Sequence, residues 1–392
     1  MNHLIDREKV NIFQTYKRLP IEVDYAFGSR IFDMNGKSYL DFLGGIAVNA
    51  LGHCHSKTIE AIDRQVRKYM HISNYFYQEP QIQMAEELAK ISGFKRIFFS
   101  NSGTEAIEGA LKLCRKWGNA IGRNKIISFS GSFHGRTYGA LSLMDKPMYK
   151  DGMEPFLNGM KILEYNNCEQ LERTVNDNTC AVFMEFLQGE GGIISASKEF
   201  VLKLKELREK YNFLIVADEI QSGVGRTGKF FAFEYYDIQP DIATLAKGIG
   251  GGLPLGCILG REALNSIWQK GQHGTTYGGN AVACAAGLTV INELNSGLME
   301  NVKKTGEYLF SELEKIKSYY PSCIVEIRGR GLMCGLLLTF DASLLVDKLI
   351  EKGVITNSAS GRVLRLLPPL IIEKLEVDEF ISALRLSLDE LK

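Results

Sequence analysis

Ile242-Ala243-Thr244-Leu245-Ala246-Lys247 is a short apolar run that ends in a cation, and Gly248-Ile249-Gly250-Gly251-Gly252 follows at once. The run reads as a buried strand with the lysine at its end. A buried ammonium is unfavourable unless partnered, and burial lowers its pKa, leaving a neutral amine able to form a Schiff base. A second apolar run upstream, Phe213-Leu214-Ile215-Val216-Ala217, ends in Asp218-Glu219-Ile220-Gln221. An acid and an amine on two strand ends fit pyridoxal phosphate (PLP), whose ring nitrogen takes a carboxylate and whose aldehyde takes a lysine. Each residue alone also has an ordinary role, as a solvated strand end for Lys247 or a helix cap or ion-pair partner for Asp218.

Working outward, apolar strands and helices alternate. Strands are expected at 96–99, 125–129, 160–164 and 181–186, with helices at 103–117 and 200–211. This alternation predicts an α/β protein whose large domain has a mostly parallel sheet flanked by helices, with function at the carboxyl ends of the strands. A helical pattern from about Asn280, then strands and an amphipathic helix at 377–391, predict a smaller α+β domain. Strand signals at Ile31-Phe32 and Tyr39-Leu40 flank a turn at Asn35-Gly36 and could pair with it. The expected division is 1–54, an N-terminal segment packing with the small domain, then 55–290, the large cofactor-binding domain, then 291–392, the small domain.

Phe98-Phe99-Ser100-Asn101-Ser102-Gly103-Thr104-Glu105-Ala106 reads as strand, polar turn and helix start. Backbone N–H groups of such a first turn can hold a phosphate, with Gly103 permitting close approach and Ser102 and Thr104 adding hydroxyls. An ordinary N-cap with a capping acid is the alternative. The glycine runs at 223–226 and 248–252 lack the G-x-G-x-x-G form that opens a dinucleotide-binding helix.

Composition narrows the class. The 392 residues are 45% hydrophobic, and 46 basic residues balance 46 acidic ones, which argues against a dominant nucleic-acid or anionic-membrane surface. Eight scattered cysteines without a C-x-x-C pair read as reduced core thiols. No apolar stretch approaches a membrane span, and the first residues lack a signal-peptide core, so a soluble cytoplasmic protein is expected. His53-Cys54-His55 is a poor chelate, and no metal is expected.

Several further motifs occur in order: Asp41-Phe42-Leu43-Gly44-Gly45-Ile46-Ala47-Val48-Asn49-Ala50-Leu51-Gly52-His53, Phe133-His134-Gly135-Arg136-Thr137, Gln188-Gly189-Glu190-Gly191-Gly192, Gly274-Thr275-Thr276-Tyr277-Gly278-Gly279-Asn280 and Arg365-Leu366-Leu367-Pro368-Pro369. With the Ser102, Asp218 and Lys247 motifs, they make the chain resemble, from Tyr16 to Pro369, the fold-type I, class III PLP-dependent aminotransferases. Two positions depart from the pattern. Phe186 follows Glu185 where a proline is common, and Ser56 replaces a usual proline; both bear on loop shape.

The resemblance implies a homodimer with the active site at the subunit interface. Ser102, Gly103 and Thr104 would bind the cofactor phosphate, joined by Thr276 of the neighbouring subunit. Phe133 would stack on one ring face and Ile220 on the other. Asp218 would hold the ring nitrogen, Gln221 would lie near the 3′-oxygen, and Lys247 would be the Schiff-base lysine and proton carrier. Arg136 and Arg365 would bind substrate carboxylates, with Thr275 and Tyr16 also at the substrate. Glu190 would pair with Arg365 in one half-reaction and release it when glutamate or 2-oxoglutarate enters. His134 and His273 are read as scaffolding. The Gly44–Ala50 block fits best with members that act on N-acetylornithine and 2-oxoglutarate in arginine biosynthesis. Ornithine, succinylornithine, 4-aminobutyrate and lysine-pathway aminotransferases share the pattern. A glutamate-1-semialdehyde aminomutase and a non-catalytic PLP-binding relative fit less well, because both arginines suit dicarboxylate turnover and every chemical residue is present.

Overall fold

The computed structural model describes residues 4–391. Its centre is a seven-stranded sheet in the order Arg96–Ser100, Gly256–Gly260, Ile242–Leu245, Leu214–Asp218, Thr179–Met184, Lys125–Phe129, Met160–Leu163. Pairing is parallel except at Gly256–Gly260, which runs antiparallel to both neighbours. Every residue of the Thr179–Met184, Leu214–Asp218, Ile242–Leu245 and Gly256–Gly260 strands is buried, as in a sheet covered on both faces.

Strand periodicity sorts the core. Leu214 and Val216 face the helix Gly103–Ala120, packing in one cluster with its Ala106, Ile107, Ala110 and Leu111. Ile215 and Ala217 point the other way, into the cluster that contains Phe200 and Leu204 of the helix Lys198–Tyr211. Side-chain caps from Ser102, Ser197 and Asn280 start three of the long helices.

Beyond the helices Ala281–Glu293 and Met299–Tyr319 lies an antiparallel sheet of Ile324–Arg330, Met333–Leu338, Val363–Leu366 and Asn357–Ala359. The early strands Val23–Phe27, Arg30–Asp33 and Ser38–Asp41 form a second small sheet, in which Ser38–Asp41 pairs in parallel with Val354–Ile355. The last helix spans Lys374–Asp389.

Gly44, Gly45, Ile46 and Ala47 all have φ between 56 and 63°. They form a left-handed turn that costs the two L-residues about 1–2 kcal/mol each. Asp41 Oδ1 holds its entry by accepting the N–H groups of Leu43 and Gly44 at 2.9 and 2.8 Å. A Cβ at Gly44 would stand 2.6 Å from the Leu367 carbonyl, so the turn fits closely against the segment that follows Arg365. Among the described residues no helix is long and apolar enough to cross a membrane.

Candidate active site

A cavity of about 460 Å³ opens at the carboxyl ends of the central strands, lined by residues that include Gly103, Thr104, Phe133, Arg136, Asp218 and Lys247. Asp218 is the last residue of its strand. Its Oδ2 lies 2.7 Å from Nδ1 of His134, and its Oδ1 accepts the Ile220 N–H at 3.0 Å. Burial opposes a charge on His134, but the bond to Asp218 outweighs it and holds the imidazole pKa above its ordinary value.

Lys247 sits just past the Ile242–Leu245 strand rather than at its end, in a left-handed conformation with φ 50°. No hydrogen bond or ion pair engages its amine among the described residues. Burial, then the Arg365 guanidinium, pushes its pKa down to about 8. The site therefore holds a largely dehydrated amine whose neutral form is accessible near physiological pH.

The 18-residue helix Gly103–Ala120 starts on the cavity wall. Ser102 spends its side-chain oxygen on the Glu105 N–H, and the Gly103 and Thr104 N–H groups have no partner among the described residues. Thr104 Oγ1 lies 2.9 Å from Thr137 Oγ1. A Cβ at Gly135 would come within 2.2 Å of that Thr104 oxygen, so only glycine lets the Phe133–Thr137 loop approach the helix start. These free donors fit a phosphate, and the Phe133 ring and the Ile220 side chain line the space beside them.

Arg136 also lines the cavity. Its guanidinium lies 3.6 Å from the Tyr149 ring centroid and 5.4 Å from that of Phe133, and no carboxylate pairs with it among the described residues. Arg365 stands behind the wall, fully buried, and Gln221 is its link to the cavity. Its Nη1 forms an ion pair with Glu190 and reaches Gln221 Oε1 at 3.4 Å, while Nε donates to Asn357 Oδ1 at 3.1 Å. Burial alone would raise the Glu190 pKa, but the adjacent Arg365 keeps it below the ordinary value.

Besides Arg365 and Glu190, three expected site residues lie outside this cavity. Thr275 lines a neighbouring cavity, where its hydroxyl accepts from Asn101 Nδ2 at 3.1 Å, and Thr276 follows it on the same loop. Tyr16 lies apart from both cavities: it is exposed in the single chain, rests against Arg18 and lines a separate surface groove.

Two residues gain importance over the sequence reading. His134 is bonded to Asp218 rather than being general scaffolding. Glu185, noted only for the residue after it, lines the cavity, and its two oxygens accept the Phe133 and Gly189 N–H groups at 2.9 and 3.1 Å. It thereby ties the Phe133 loop to the loop that carries Glu190. Burial, then the nearby Asp218 charge, pushes Glu185 up to about 7. A glutamate directly after a largely apolar strand was the available signal. Leu253, Pro254 and Leu255 supply apolar wall that no motif marked, and Val48 of the Asp41–His53 motif adds to it.

Fold and cavity together define a PLP-dependent transferase, with acid, amine and anion site converging on one space. The sequence matches the family model described as aminotransferase class-III over residues 12–388. It is 44% identical over 379 residues to the acetylornithine aminotransferase of Archaeoglobus fulgidus, covering 96% of this chain and 98% of that one. The structure resembles the ornithine aminotransferase from Toxoplasma gondii (TM-score 0.95, 30% identity, covering 99% and 95%). It also resembles the N-acetylornithine aminotransferase from Stenotrophomonas maltophilia (TM-score 0.85, 33% identity, covering 99% of each chain). The chain belongs to the class III aminotransferases, enzymes that use PLP and act on small molecules.

Proposed function

We propose that this protein is a homodimeric, cytoplasmic aminotransferase that passes the terminal amine of N-acetylornithine to 2-oxoglutarate. The products are N-acetylglutamate 5-semialdehyde and glutamate, as in arginine biosynthesis. The observation that carries the chemistry is the half-buried Lys247 amine, without a partner among the described residues, facing the same cavity as the Asp218–His134 pair and the free N–H groups of Gly103 and Thr104. The choice of donor rests on the 44% identity to an acetylornithine enzyme.

When bound, PLP supplies an electron sink for the charge that develops at the amine-bearing carbon. Ser102, Gly103 and Thr104 would hold its phosphate, with Thr276 from a second copy of the chain, and Phe133 and Ile220 would hold the ring faces. Asp218, oriented by His134, would hold the ring nitrogen, and Gln221 would lie on the 3′-oxygen side. Lys247 would anchor the cofactor, and its amine is the group that would accept and return the substrate's proton. Arg136, with no carboxylate partner among the described residues, takes a substrate carboxylate in two parallel hydrogen bonds, joined by Thr275. Glu190 covers Arg365 while the acylated donor reacts and exposes it to the α-carboxylate of glutamate or 2-oxoglutarate.

The second copy is supported by exposed aromatic residues around the Thr276 loop. Tyr75 and Tyr77 are 94% and 97% exposed, and Asn74 Nδ2 bonds the Thr275 and Gly278 carbonyls at 3.2 and 3.0 Å. The eight free cysteines suit a reducing compartment.

Free ornithine is the second reading, favoured by the likeness to the Toxoplasma enzyme. A donor panel with 2-oxoglutarate as acceptor, followed by glutamate formation, tests the choice. N-acetylornithine should give the highest kcat/KM among acetylated, succinylated and free ornithine and 4-aminobutyrate. Preference for any other donor would replace it.

A further inference from the structure

Arg226 is 2% exposed, and no carboxylate lies within ion-pair distance of it among the described residues. Burial pushes its pKa down to about 9, with Asp41 acting in the opposite direction. A buried guanidinium without an acid is an expensive way to fill space, since an apolar side chain of similar volume avoids its desolvation. What an apolar residue cannot do is donate. Arg226 Nη1 donates to the Leu332 carbonyl at 3.3 Å and to the Pro368 carbonyl, and its own carbonyl accepts the Leu332 N–H at 3.0 Å.

The two clamped points flank Arg365. Leu332 leads into the strand Met333–Leu338, Pro368 follows the strand Val363–Leu366, and these strands pair with Gly335 opposite Arg365. The clamp itself belongs to the loop that continues from Gln221, the residue that Arg365 Nη1 reaches at 3.4 Å. The seam is tight, because a Cβ on Gly331 would stand 2.6 Å from the Thr227 backbone.

We infer that Arg226 is a positioning residue that fixes the Arg365 strand against the Gln221 loop and so sets how Arg365 meets an α-carboxylate. This rests on the reading that Arg365 serves the glutamate half-reaction.

Single-turnover absorbance with the holoenzyme tests it, using glutamate and N-acetylornithine separately. Arg226→Met should lower kcat/KM for glutamate about tenfold or more and change that for N-acetylornithine by less than about threefold. Arg226→Lys should recover part of the loss. On an Arg365→Ala background, Arg226→Met should add little to the glutamate defect, because the two act through one group. Equal losses in both halves, or an unchanged glutamate half, would overturn the proposal. If Arg226→Met does not fold, Arg226→Lys carries the same comparison, with a smaller loss confined to glutamate expected. If Arg365→Ala itself fails to discriminate between the halves, the role given to Arg365 fails, an outcome distinct from a failure at Arg226 alone.

Discussion

The Nδ1 atom of His134 lies 2.7 Å from Oδ2 of Asp218, with both side chains buried at the end of the central sheet. The pair is held from two sides, since Asp218 Oδ1 also accepts the Ile220 N–H. An acid fixed in this way cannot turn from the cavity, and its charge is little screened by water. Asp218→Asn keeps the shape and removes the charge, so kcat should fall on the order of 10² or more, as on loss of a strong electrostatic stabiliser. His134→Ala should cost less, because the carboxylate survives and loses only its orientation. Near-normal turnover in Asp218→Asn would mean that another group protonates the ring.

Lys247 gives a pH prediction. Its pKa of about 8 is depressed from the ordinary lysine value, and the neutral amine is the reactive form. Loading of PLP onto the apo-protein should therefore accelerate as pH rises through about 8 and level off above it, followed by visible absorbance. Lys247→Ala should abolish transamination, and borohydride should fix the cofactor to Lys247 in the native enzyme. Attachment at another residue would overturn the assignment.

Much of this site was legible because its signals are local. A strand that ends in an acid, a strand that leads to a lysine, and a helix that begins Ser102-Gly103-Thr104 each declare their chemistry within a few residues. The His134–Asp218 and Glu185–Phe133 contacts were not legible, because they join separate strands and loops across the sheet. The antiparallel strand Gly256–Gly260 was not among the expected strands; glycines bound its short apolar run at both ends. The left-handed turn at Ile46 and Ala47 contradicts local propensity, because a β-branched residue at φ 63° is costly and is held there by the turn's own backbone bonds, by Asp41 and by the Leu367 segment. Tyr16 was placed by its motif, and in the single chain its side chain is exposed.

Assembly should be linked to cofactor retention, because Thr276 lies outside the cavity of its own chain and would serve that of a second copy. Tyr75→Glu combined with Tyr77→Glu places charge in the exposed aromatic patch. Gel filtration should then show a monomer, and the visible absorbance of bound PLP should be lost on dilution. An active, PLP-saturated monomer would contradict the shared site.

The Glu190–Arg365 ion pair separates the two half-reactions. Arg365 is buried and Glu190 is its only carboxylate partner among the described residues, so removing either leaves the other altered in a predictable direction. Glu190→Ala leaves the guanidinium open to an α-carboxylate at all times. Selectivity for the terminal amine should weaken relative to glutamate by roughly 1–3 kcal/mol, the scale of one charged hydrogen bond. Arg365→Ala should instead impair the glutamate/2-oxoglutarate half most, and it removes the main cation that holds the Glu190 pKa down, leaving Lys247 and Lys146 against burial, so that the pKa rises. In that variant the acid-side pH dependence of the residual reaction with N-acetylornithine should move to higher pH than in the native enzyme. Single-turnover absorbance with each donor, repeated across pH, isolates these effects. Equal losses in both halves for both variants would reduce the pair to a structural ion pair.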